Sequence, residues 1–245
     1  MSPWMVGDPH GNFQPLLNAS AVHQPSAVIL MGDCDLTTSL EHVLGELAER
    51  TWWIPGNHDG DSKQYYVNLF NSTLAERNLN GRVVEIEGVK IAGLGGVFRG
   101  QIWHPDSGVR YHAREDYLSQ LRQRDRWRDG GMPLRRRVSI WPEDVERLRG
   151  QQADVLITHE APSCHHHGFS VIDDIAEAMG VRLIVHGHHH KAYDATVCDG
   201  RVRVLGTALA GVRDLDGNVI APGVYSNRAG RAYDQYDSYT LRGPR

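Results

Sequence analysis

The 245-residue sequence contains five short groups of histidine, aspartate and asparagine residues, and the densest group is His186-Gly-His-His-His190. A cluster of imidazoles needs hydrogen-bond partners or a metal ion, because histidine is a poor residue for an apolar core. The other four groups supply further oxygen and nitrogen donors: Asp8 with His10, then Asp33, Asn57 and His159. Carboxylate, amide and imidazole donors without a thiolate favour a site for divalent ions such as Mn, Fe or Zn over a structural zinc site.

The predicted donor set has seven members: Asp8, His10, Asp33, Asn57, His159, His188 and His190. Seven donors are too many for one tetrahedral ion. They fit two ions about 3.5–4 Å apart that share one carboxylate, an arrangement that holds the attacking and leaving oxygens of an in-line displacement at phosphorus. The donor set therefore predicts a dinuclear centre for phosphoryl chemistry.

Each donor group follows a short apolar run that is typical of a buried strand. The runs end at Val6, Met31, Ile54, Ile157 and Val185. Helical spacing of apolar residues lies between the first three runs, and one helix is predicted over residues 38–50. Strands that alternate with helices predict an α/β sheet, in which ligands bind at the carboxyl ends of the strands. We therefore expect the five groups to converge on one site.

The order of these groups resembles the calcineurin-like metallophosphoesterase superfamily. The matching blocks, over roughly residues 4–195, are Asp8-x-His10, Gly32-Asp33, Gly56-Asn57-His58-Asp59, His159 and Gly187-His188-x-His190. The resemblance implies an α/β fold, a four-layer α/β/β/α sandwich with a dimetal site at the strand ends. It also implies two divalent metal ions, for which we expect Mn, with Fe, Zn or Ni as alternatives.

The resemblance also divides the donors between the two ions. One ion is expected to bind Asp8, His10, Asp33 and His190. The other is expected to share Asp33 and to bind Asn57, His159 and His188. A hydroxide that bridges the ions is the expected nucleophile, because a bound divalent ion lowers the pKa of water towards about 7. On an extended chain, His188 and His190 would point to the same side.

His58 follows the ligand Asn57 and resembles the histidine that protonates the leaving group or stabilises the transition state in this superfamily. Asp35 and Asp59 are the two candidates for orienting His58, and the sequence does not choose between them. Arg99 lies close to a predicted strand end and is the candidate for binding a phosphate of the substrate.

Residues 99–150 depart from the minimal superfamily pattern and predict a specificity insertion within a single domain, residues 1–245. The insertion combines arginine runs with interleaved tryptophans: Arg122–Arg128 and Arg135–Arg137, with Trp103, Trp127 and Trp141. Such a pattern can bind a nucleotide, a polyphosphate or a nucleic-acid strand. Acidic residues among the arginines favour a solvated, salt-bridged insertion instead. A nuclease and a non-catalytic metal-binding module are kept as alternative hypotheses.

The formal net charge of -4 gives no basic excess that would make nucleic acid the favoured partner. The three cysteines are widely separated and odd in number, which predicts neither a disulfide framework nor a zinc motif. No apolar stretch reaches the roughly 18 residues of a membrane span, and the first residues lack the pattern of a signal peptide. We expect a cytoplasmic phosphoesterase without a membrane partner that acts on a phosphorylated small molecule or a nucleotide.

Overall fold

The computed structural model describes residues 2–224, which form two larger β-sheets with helices on their outer faces. The strands are β1 (Trp4–Val6), β2 (Val28–Leu30), β3 (Thr51–Trp53), β4 (Arg82–Ile86), β5 (Val89–Leu94), β6 (Trp103–His104), β7 (Gly108–Val109), β8 (Val155–Thr158), β9 (Leu183–His186), β10 (Tyr193–Val197), β11 (Val202–Gly206), β12 (Val212–Asp214) and β13 (Val219–Ala221). The helices are α1 (Gln14–Val22), α2 (Leu40–Leu44), α3 (Lys63–Phe70), α4 (Arg114–Gln120), α5 (Leu134–Arg137), α6 (Pro142–Arg149) and α7 (Ser170–Met179). Residues 225–245 of the predicted single domain lie outside the described residues.

Parallel strands form the centre of both sheets. The first sheet has the strand order β13-β12-β1-β2-β3, and the second has the order β10-β11-β9-β8-β5-β4. β1, β2 and β3 run parallel, as do β5, β8, β9 and β11. The remaining strands of each sheet pair antiparallel at its sides. The strands that precede the predicted donor groups therefore end at a common edge within each sheet.

The two sheets pack against each other through every second side chain of their strands. Met5 and Ile29 in the first sheet share a buried cluster with Ile157, Val185 and Leu205 in the second. Each of these five side chains is inaccessible to solvent. Because successive side chains of a strand point to opposite faces, the neighbours of these residues must face outwards.

The outward-facing side chains are covered by helices. On the first sheet, Val6 and Leu30 pack in a cluster with residues of α1, α2 and α3. On the second sheet, Leu156 and Ile184 pack with residues of α6 and α7. The order of layers is thus helices, sheet, sheet, helices. The predicted four-layer α/β/β/α sandwich is confirmed.

The helix predicted over residues 38–50 is wrong in its second half. The α-helical part ends at Leu44, and a 3-10 helix over Gly45–Arg50 follows it. Gly45 has a φ of +54°, a left-handed value that interrupts the α-helical hydrogen-bond pattern. The spacing of apolar residues alone does not distinguish the two helix types over such a short segment.

The predicted insertion contributes its own small core. Trp141 and Ile102 are fully buried there and pack with Met132. Trp141 is therefore unable to stack on a nucleotide or on a nucleic-acid base. In the same region α6 packs on the outer face of the second sheet, so that part of residues 99–150 belongs to the scaffold.

Several arginines of the insertion form ion pairs with acidic neighbours. Arg114 binds the buried Asp144 through two hydrogen bonds of 2.8 and 2.6 Å. Arg137 donates to both carboxylate oxygens of Asp129 at 2.7 Å. These contacts match the salt-bridged insertion that the acidic residues predict. Within residues 2–224, no helix combines the length and the apolar character that crossing a membrane requires.

The core between the sheets makes a prediction about stability. Replacement Ile29→Ala should lower the free energy of unfolding by about 2–5 kcal/mol, because it leaves a cavity where the two sheets meet. Urea denaturation measures the change. The control is Val22→Ala in α1, a position with 74% exposure, where a change below about 0.5 kcal/mol is expected. Equal losses in the two variants would contradict this assignment of the core.

Candidate metal centre

The loops that follow β1, β2, β3, β8 and β9 bring the seven predicted donors to one end of the sandwich. His159 lies at the junction of the two sheets, with its Nδ1 3.6 Å from Asp8 Oδ1 and its Nε2 3.4 Å from Asp33 Oδ2. All three residues are fully buried. Donors from both sheets therefore meet at a single site.

Asp33 lies between two groups of donors. Its Oδ2 is 3.4 Å from His159 Nε2, which is itself 3.0 Å from Asn57 Oδ1. The same Oδ2 is 3.8 Å from His10 Nε2, which lies 3.2 Å from His190 Nε2. One carboxylate oxygen is thus within reach of imidazoles from both groups.

These separations and charges fit divalent metal ions. Donor atoms held at about 2.1 Å from one ion lie about 3.0–3.4 Å apart, depending on the coordination geometry. Ligand atoms of Asp33, His159 and His188 all lie within 4.8 Å of one another. Asp8 and Asp33 are two buried carboxylates in one site, and their negative charge calls for a compensating cation.

The loops that carry the donors contain strained backbone angles. Left-handed φ angles occur at six non-glycine residues of these loops: Asp8 (+34°), His10 (+44°), Asp33 (+50°), Asp35 (+49°), His188 (+70°) and His190 (+54°). Such angles cost of order 1 kcal/mol or more each and concentrate at functional sites. The expectation that His188 and His190 lie on an extended chain is wrong, because β9 ends at His186 and the amide of His189 turns back to the carbonyl of Gly187 at 2.9 Å.

Two glycines allow the backbone to approach the buried carboxylates closely. A Cβ on Gly187 would lie 2.8 Å from Asp8 Oδ2, and a Cβ on Gly56 would overlap with Asp33 Oδ1. The amide of His188 then donates to both oxygens of Asp8, at 2.9 and 3.0 Å. A larger residue at either glycine would displace a carboxylate of the site.

The buried charges determine which groups carry protons. Burial and the charge of Asp33 raise the pKa of Asp8 to about 6, against the opposing charge of His159. Burial alone would lower the pKa of His159, but the charges of Asp33 and Asp8 outweigh it and raise that pKa to about 10. His159 Nδ1 is bonded to the carbonyl of Met31 at 2.8 Å, which turns Nε2 towards Asp33. Because a ligand imidazole must be neutral, a bound metal would displace the proton from Nε2.

His188 and His190 are already in the protonation state that metal ligands require. Burial, with the charge of His159, lowers the pKa of His188 well below its usual value. Burial, with the charge of His10, lowers the pKa of His190 to about 4. Both imidazoles are therefore neutral at pH 7 and have a lone pair to offer.

His58 has a carboxylate partner, Asp61, that was not predicted from the sequence. Its Nδ1 lies 2.7 Å from Asp61 Oδ2. Burial would lower the pKa of His58, but this hydrogen bond and the charges of Asp33, Asp61 and Asp35 together outweigh burial and raise that pKa to about 9. Asp61 follows His58 by three positions, directly after the 3-10 turn His58–Gly60, and this i,i+3 spacing is the signal that could have identified it.

Asp35 and Asp59 make their hydrogen bonds elsewhere, which corrects the expectation that one of them orients His58. Asp35 Oδ2 lies 2.8 Å from Nδ1 of His10 and directs Nε2 of that ring into the site. Asp59 is buried and accepts three backbone N–H groups at 3.0, 2.9 and 2.8 Å, those of Asp33, Cys34 and Gly56. Asp59 thus joins the loop after β2 to the loop after β3.

Arg99 lies beside the site where the chain leaves β5. Its neighbour Phe98 donates a backbone N–H to Glu160 Oε1 at 3.1 Å, and Glu160 Oε2 lies 3.9 Å from His188 Nε2. Glu160 directly follows the predicted ligand His159 and was not among the site residues predicted from the sequence. A ligand atom from each of Glu160, His188 and His189 also falls within a 4.8 Å group.

The extra histidines form a cluster next to the seven donors. His186 is buried, with Nδ1 bonded to the carbonyl of Gly187 at 2.8 Å and Nε2 to the hydroxyl of Tyr193. The ring of His165 stacks on that of His189 with centroids 3.9 Å apart. His186 is thus a core histidine with hydrogen-bond partners on both ring nitrogens.

Comparison with known proteins places the chain among phosphoesterases. A model of the calcineurin-like phosphoesterase family matches residues 1–192. A protein of Haemophilus influenzae (strain Rd), described as uncharacterized, is 47% identical over 190 residues, which are 77% of this chain and 83% of that protein. The crystal structure of TT1561 of Thermus thermophilus has a TM-score of 0.55 at 14% identity, over 89% of this chain and 97% of that chain. At this identity the similarity to TT1561 is one of fold alone.

The position of Asp59 predicts a structural rather than a chemical effect of its removal. Replacement Asp59→Asn places an NH2 group opposite backbone N–H donors and should lower the free energy of unfolding by about 1–3 kcal/mol. Chemical denaturation measures the loss. Asp106→Asn is the matched control, since the side chain of Asp106 is 85% exposed and little change is expected. Unchanged stability together with lost turnover would instead assign Asp59 to the chemistry.

Proposed function

The chain belongs to the calcineurin-like phosphoesterase family, and on this premise we propose that it is a dinuclear metal-dependent phosphoesterase. Its substrate is a phosphomonoester or a phosphodiester of a small molecule or a nucleotide. The observation that carries the proposal is the position of Asp33 Oδ2, 3.4 Å from His159 Nε2 and 3.8 Å from His10 Nε2. A carboxylate that reaches both donor groups is what a pair of ions with a shared ligand requires.

The seven donors divide between two ions. The first ion would be held by Asp8, His10, Asp33 and His190, and the second by Asp33, Asn57, His159 and His188. The mixed oxygen and imidazole donors suit Mn, with Fe, Zn or Ni as alternatives. When bound, the ions supply a coordinated water with a pKa lowered towards about 7 and positive charge that offsets the charge of the phosphoryl oxygens.

The protein's own groups aim the ligands. Asp35 engages Nδ1 of His10, and the carbonyl of Met31 engages Nδ1 of His159, each at 2.8 Å. In the neutral ring that metal binding requires, each contact keeps the proton on Nδ1 and leaves the Nε2 lone pair directed at the donor set. Outer partners of this kind fix the tautomer and the ring orientation of a ligand histidine.

His58 is the proposed proton donor to the leaving oxygen. With a pKa of about 9 it carries a proton at neutral pH. Since its Nδ1 is bonded to Asp61, the proton that reaches the leaving group is the one on Nε2. Asp61 is a positioning residue that keeps the imidazole protonated and oriented. Arg99 is the proposed contact for a phosphate of the substrate, because a guanidinium binds two phosphate oxygens at once.

The nuclease hypothesis has less support than the hydrolysis of a small substrate. Arg114 and Arg137 of the insertion are engaged with carboxylates, and Trp141 is buried. A strand-binding surface needs exposed aromatic side chains and unpaired cations along the backbone path. The tested substrates should nevertheless include a single-stranded oligonucleotide, whose affinity would fall steeply with salt if the arginines bound it.

The shared carboxylate makes a prediction about both metal content and turnover. Metal-stripped protein should hydrolyse p-nitrophenyl phosphate or bis(p-nitrophenyl) phosphate only after Mn, Fe, Zn or Ni is restored. Replacement Asp33→Asn should lower bound metal below two ions per chain and the restored turnover by about 100-fold or more, because both ions lose a charged ligand. Metal analysis and steady-state kinetics measure the two effects, with Asp106→Asn as control. Stoichiometric metal without turnover of any ester would favour the non-catalytic module.

The pair formed by His58 and Asp61 makes a separate prediction. Replacement His58→Gln should leave the metal content unchanged and lower kcat by about 100-fold or more, as loss of a general acid does. Replacement Asp61→Asn removes the partner that raises the pKa of His58. The alkaline limb of the kcat/KM profile, where the acid is lost by deprotonation, should then move to lower pH.

Asp35→Asn serves as the control for this pair. Because Asp35 contacts His10, its replacement should weaken metal binding by about 10- to 100-fold. It should move the alkaline limb less than Asp61→Asn does, since the charge of Asp35 adds less to the pKa of His58 than Asp61 does. A shifted limb in Asp35→Asn and an unshifted one in Asp61→Asn would contradict the assignment of Asp61.

A further inference from the structure

Three arginines from separate parts of the sequence gather beside the candidate metal centre. Arg99 follows β5, and Arg135 and Arg136 belong to α5. A parallel bridge between Val97 and Ser139 holds the two segments side by side. We call Arg99, Arg135 and Arg136 the arginine cluster.

The arginine cluster lies on the side of the centre that carries the proposed proton donor. Arg135 Nη2 is 3.0 Å from Oδ1 of Asp61, and Asp61 Oδ2 is the partner of His58. Arg99 lies within electrostatic reach of both Asp61 and Glu160, the carboxylate next to the ligand His159. A group bound by the cluster would therefore be a neighbour of a phosphate at the seven donors.

Two members of the cluster carry buried donors that the protein does not satisfy. The Nε atoms of Arg99 and Arg136 are inaccessible to solvent, and neither has an acceptor among residues 2–224. A buried charged donor without an acceptor costs more than a neutral one, so such groups call for an explanation. An acceptor supplied by a ligand is one.

Mutual repulsion within the cluster points to the same kind of ligand. Burial, and after it the charges of Arg136 and Arg135, lower the pKa of Arg99 to about 10. With this pKa the guanidinium group of Arg99 carries its charge at neutral pH. An anion between the three guanidinium groups would offset both the repulsion and the buried Nε groups.

The neighbouring carboxylates have other partners. Asp61 is bonded to His58 and Arg135, and Glu160 accepts the backbone N–H of Phe98. The planar edge of a guanidinium group, formed by Nε and one Nη, matches two oxygens of a phosphate group. Phosphate can accept from more than one guanidinium group, which favours it as the occupant.

We infer that Arg99 and Arg136 bind a second, non-reacting phosphate of the substrate, so that the substrate is a compound with two neighbouring phosphate groups. One phosphate lies at the seven donors, the other lies at the arginine cluster, and Arg135 is held back by Asp61 as a positioning residue. This inference rests on the proposed phosphoesterase activity, because it names the substrate class of the same site.

The test measures binding of non-hydrolysable probes to the full-length, manganese-loaded protein by calorimetry. Methylenediphosphonate carries two phosphonate groups, methylphosphonate carries one, and phosphonoacetate replaces the second group by a carboxylate. Methylenediphosphonate should bind about tenfold or more tightly than either single-phosphonate probe, since charge-assisted hydrogen bonds to two guanidinium groups are added. All proteins are compared at one manganese concentration, so chelation of manganese in solution cancels between variants.

The matched variants are Arg99→Gln and Arg136→Gln, with Arg182→Gln as control. Arg182 is exposed and lies at the amino end of β9, opposite the donors. Each cluster variant should lose about tenfold in affinity for methylenediphosphonate and less than about twofold for methylphosphonate, while Arg182→Gln changes neither. Arg99→Lys and Arg136→Lys keep the charge and should recover only part of the affinity, because lysine lacks the two-pronged edge.

Several results would overturn the inference: equal affinities for the three probes, unchanged affinities in Arg99→Gln and Arg136→Gln, or equal losses for both methylphosphonate and methylenediphosphonate. Circular dichroism verifies that each variant is folded. If the protein hydrolyses esters but does not bind methylenediphosphonate more tightly than methylphosphonate, the inference is wrong and the proposed phosphoesterase function is supported. If the protein binds methylenediphosphonate through Arg99 and Arg136 but hydrolyses no ester, the arginine site is supported and the proposed phosphoesterase function is wrong.

Discussion

Two carboxylates, Asp8 and Asp33, are buried in the candidate metal centre, and their negative charge sets the requirement that the surrounding groups must meet. A buried carboxylate is stable only when it is paired with positive charge or satisfied by hydrogen-bond donors. Backbone amides supply part of this, since His188 N donates to Asp8 and His58 N donates to Asp33 Oδ1 at 2.7 Å. Imidazoles surround the carboxylate oxygens of Asp8 and Asp33. Divalent ions bound between these imidazoles and carboxylates would offset the rest of the negative charge.

The fold positions the donors that compensate the charge of the two buried carboxylates. Parallel strands of two stacked sheets end near each other, so that loops from both sheets converge on His159. Left-handed backbone angles then orient five of the seven donors, Asp8, His10, Asp33, His188 and His190, at a cost of order 1 kcal/mol or more per residue. The three buried clusters between and outside the sheets offset that strain. Asp59 joins the loop after β2 to the loop after β3, because its carboxylate accepts hydrogen bonds from three backbone amides of these loops.

The sequence was sufficient to predict the strands that precede the donors and the convergence of the donors, because apolar runs and the residues after them are local patterns. The layer order was implied by the resemblance to the calcineurin-like superfamily. It was not sufficient to assign the carboxylates around His58. Asp35, Asp59 and Asp61 lie in short irregular turns, where no periodicity indicates which side chain faces inwards. Only the turn geometry shows that Asp35 meets His10, Asp59 meets backbone amides and Asp61 meets His58. The arginine cluster was hidden for a similar reason, since Arg99 and Arg136 are distant in sequence and meet through the pairing of two loops.

Anomalous diffraction from crystals grown with manganese would show whether Asp33 is shared by two metal ions. We expect two peaks in the anomalous difference map, one on each side of the Asp33 carboxylate. One peak should lie beside His10 and His190, and the other beside Asn57, His159 and His188. A single peak, or peaks centred on Glu160 and His189 away from Asp33, would mean that Asp33 is not a shared ligand.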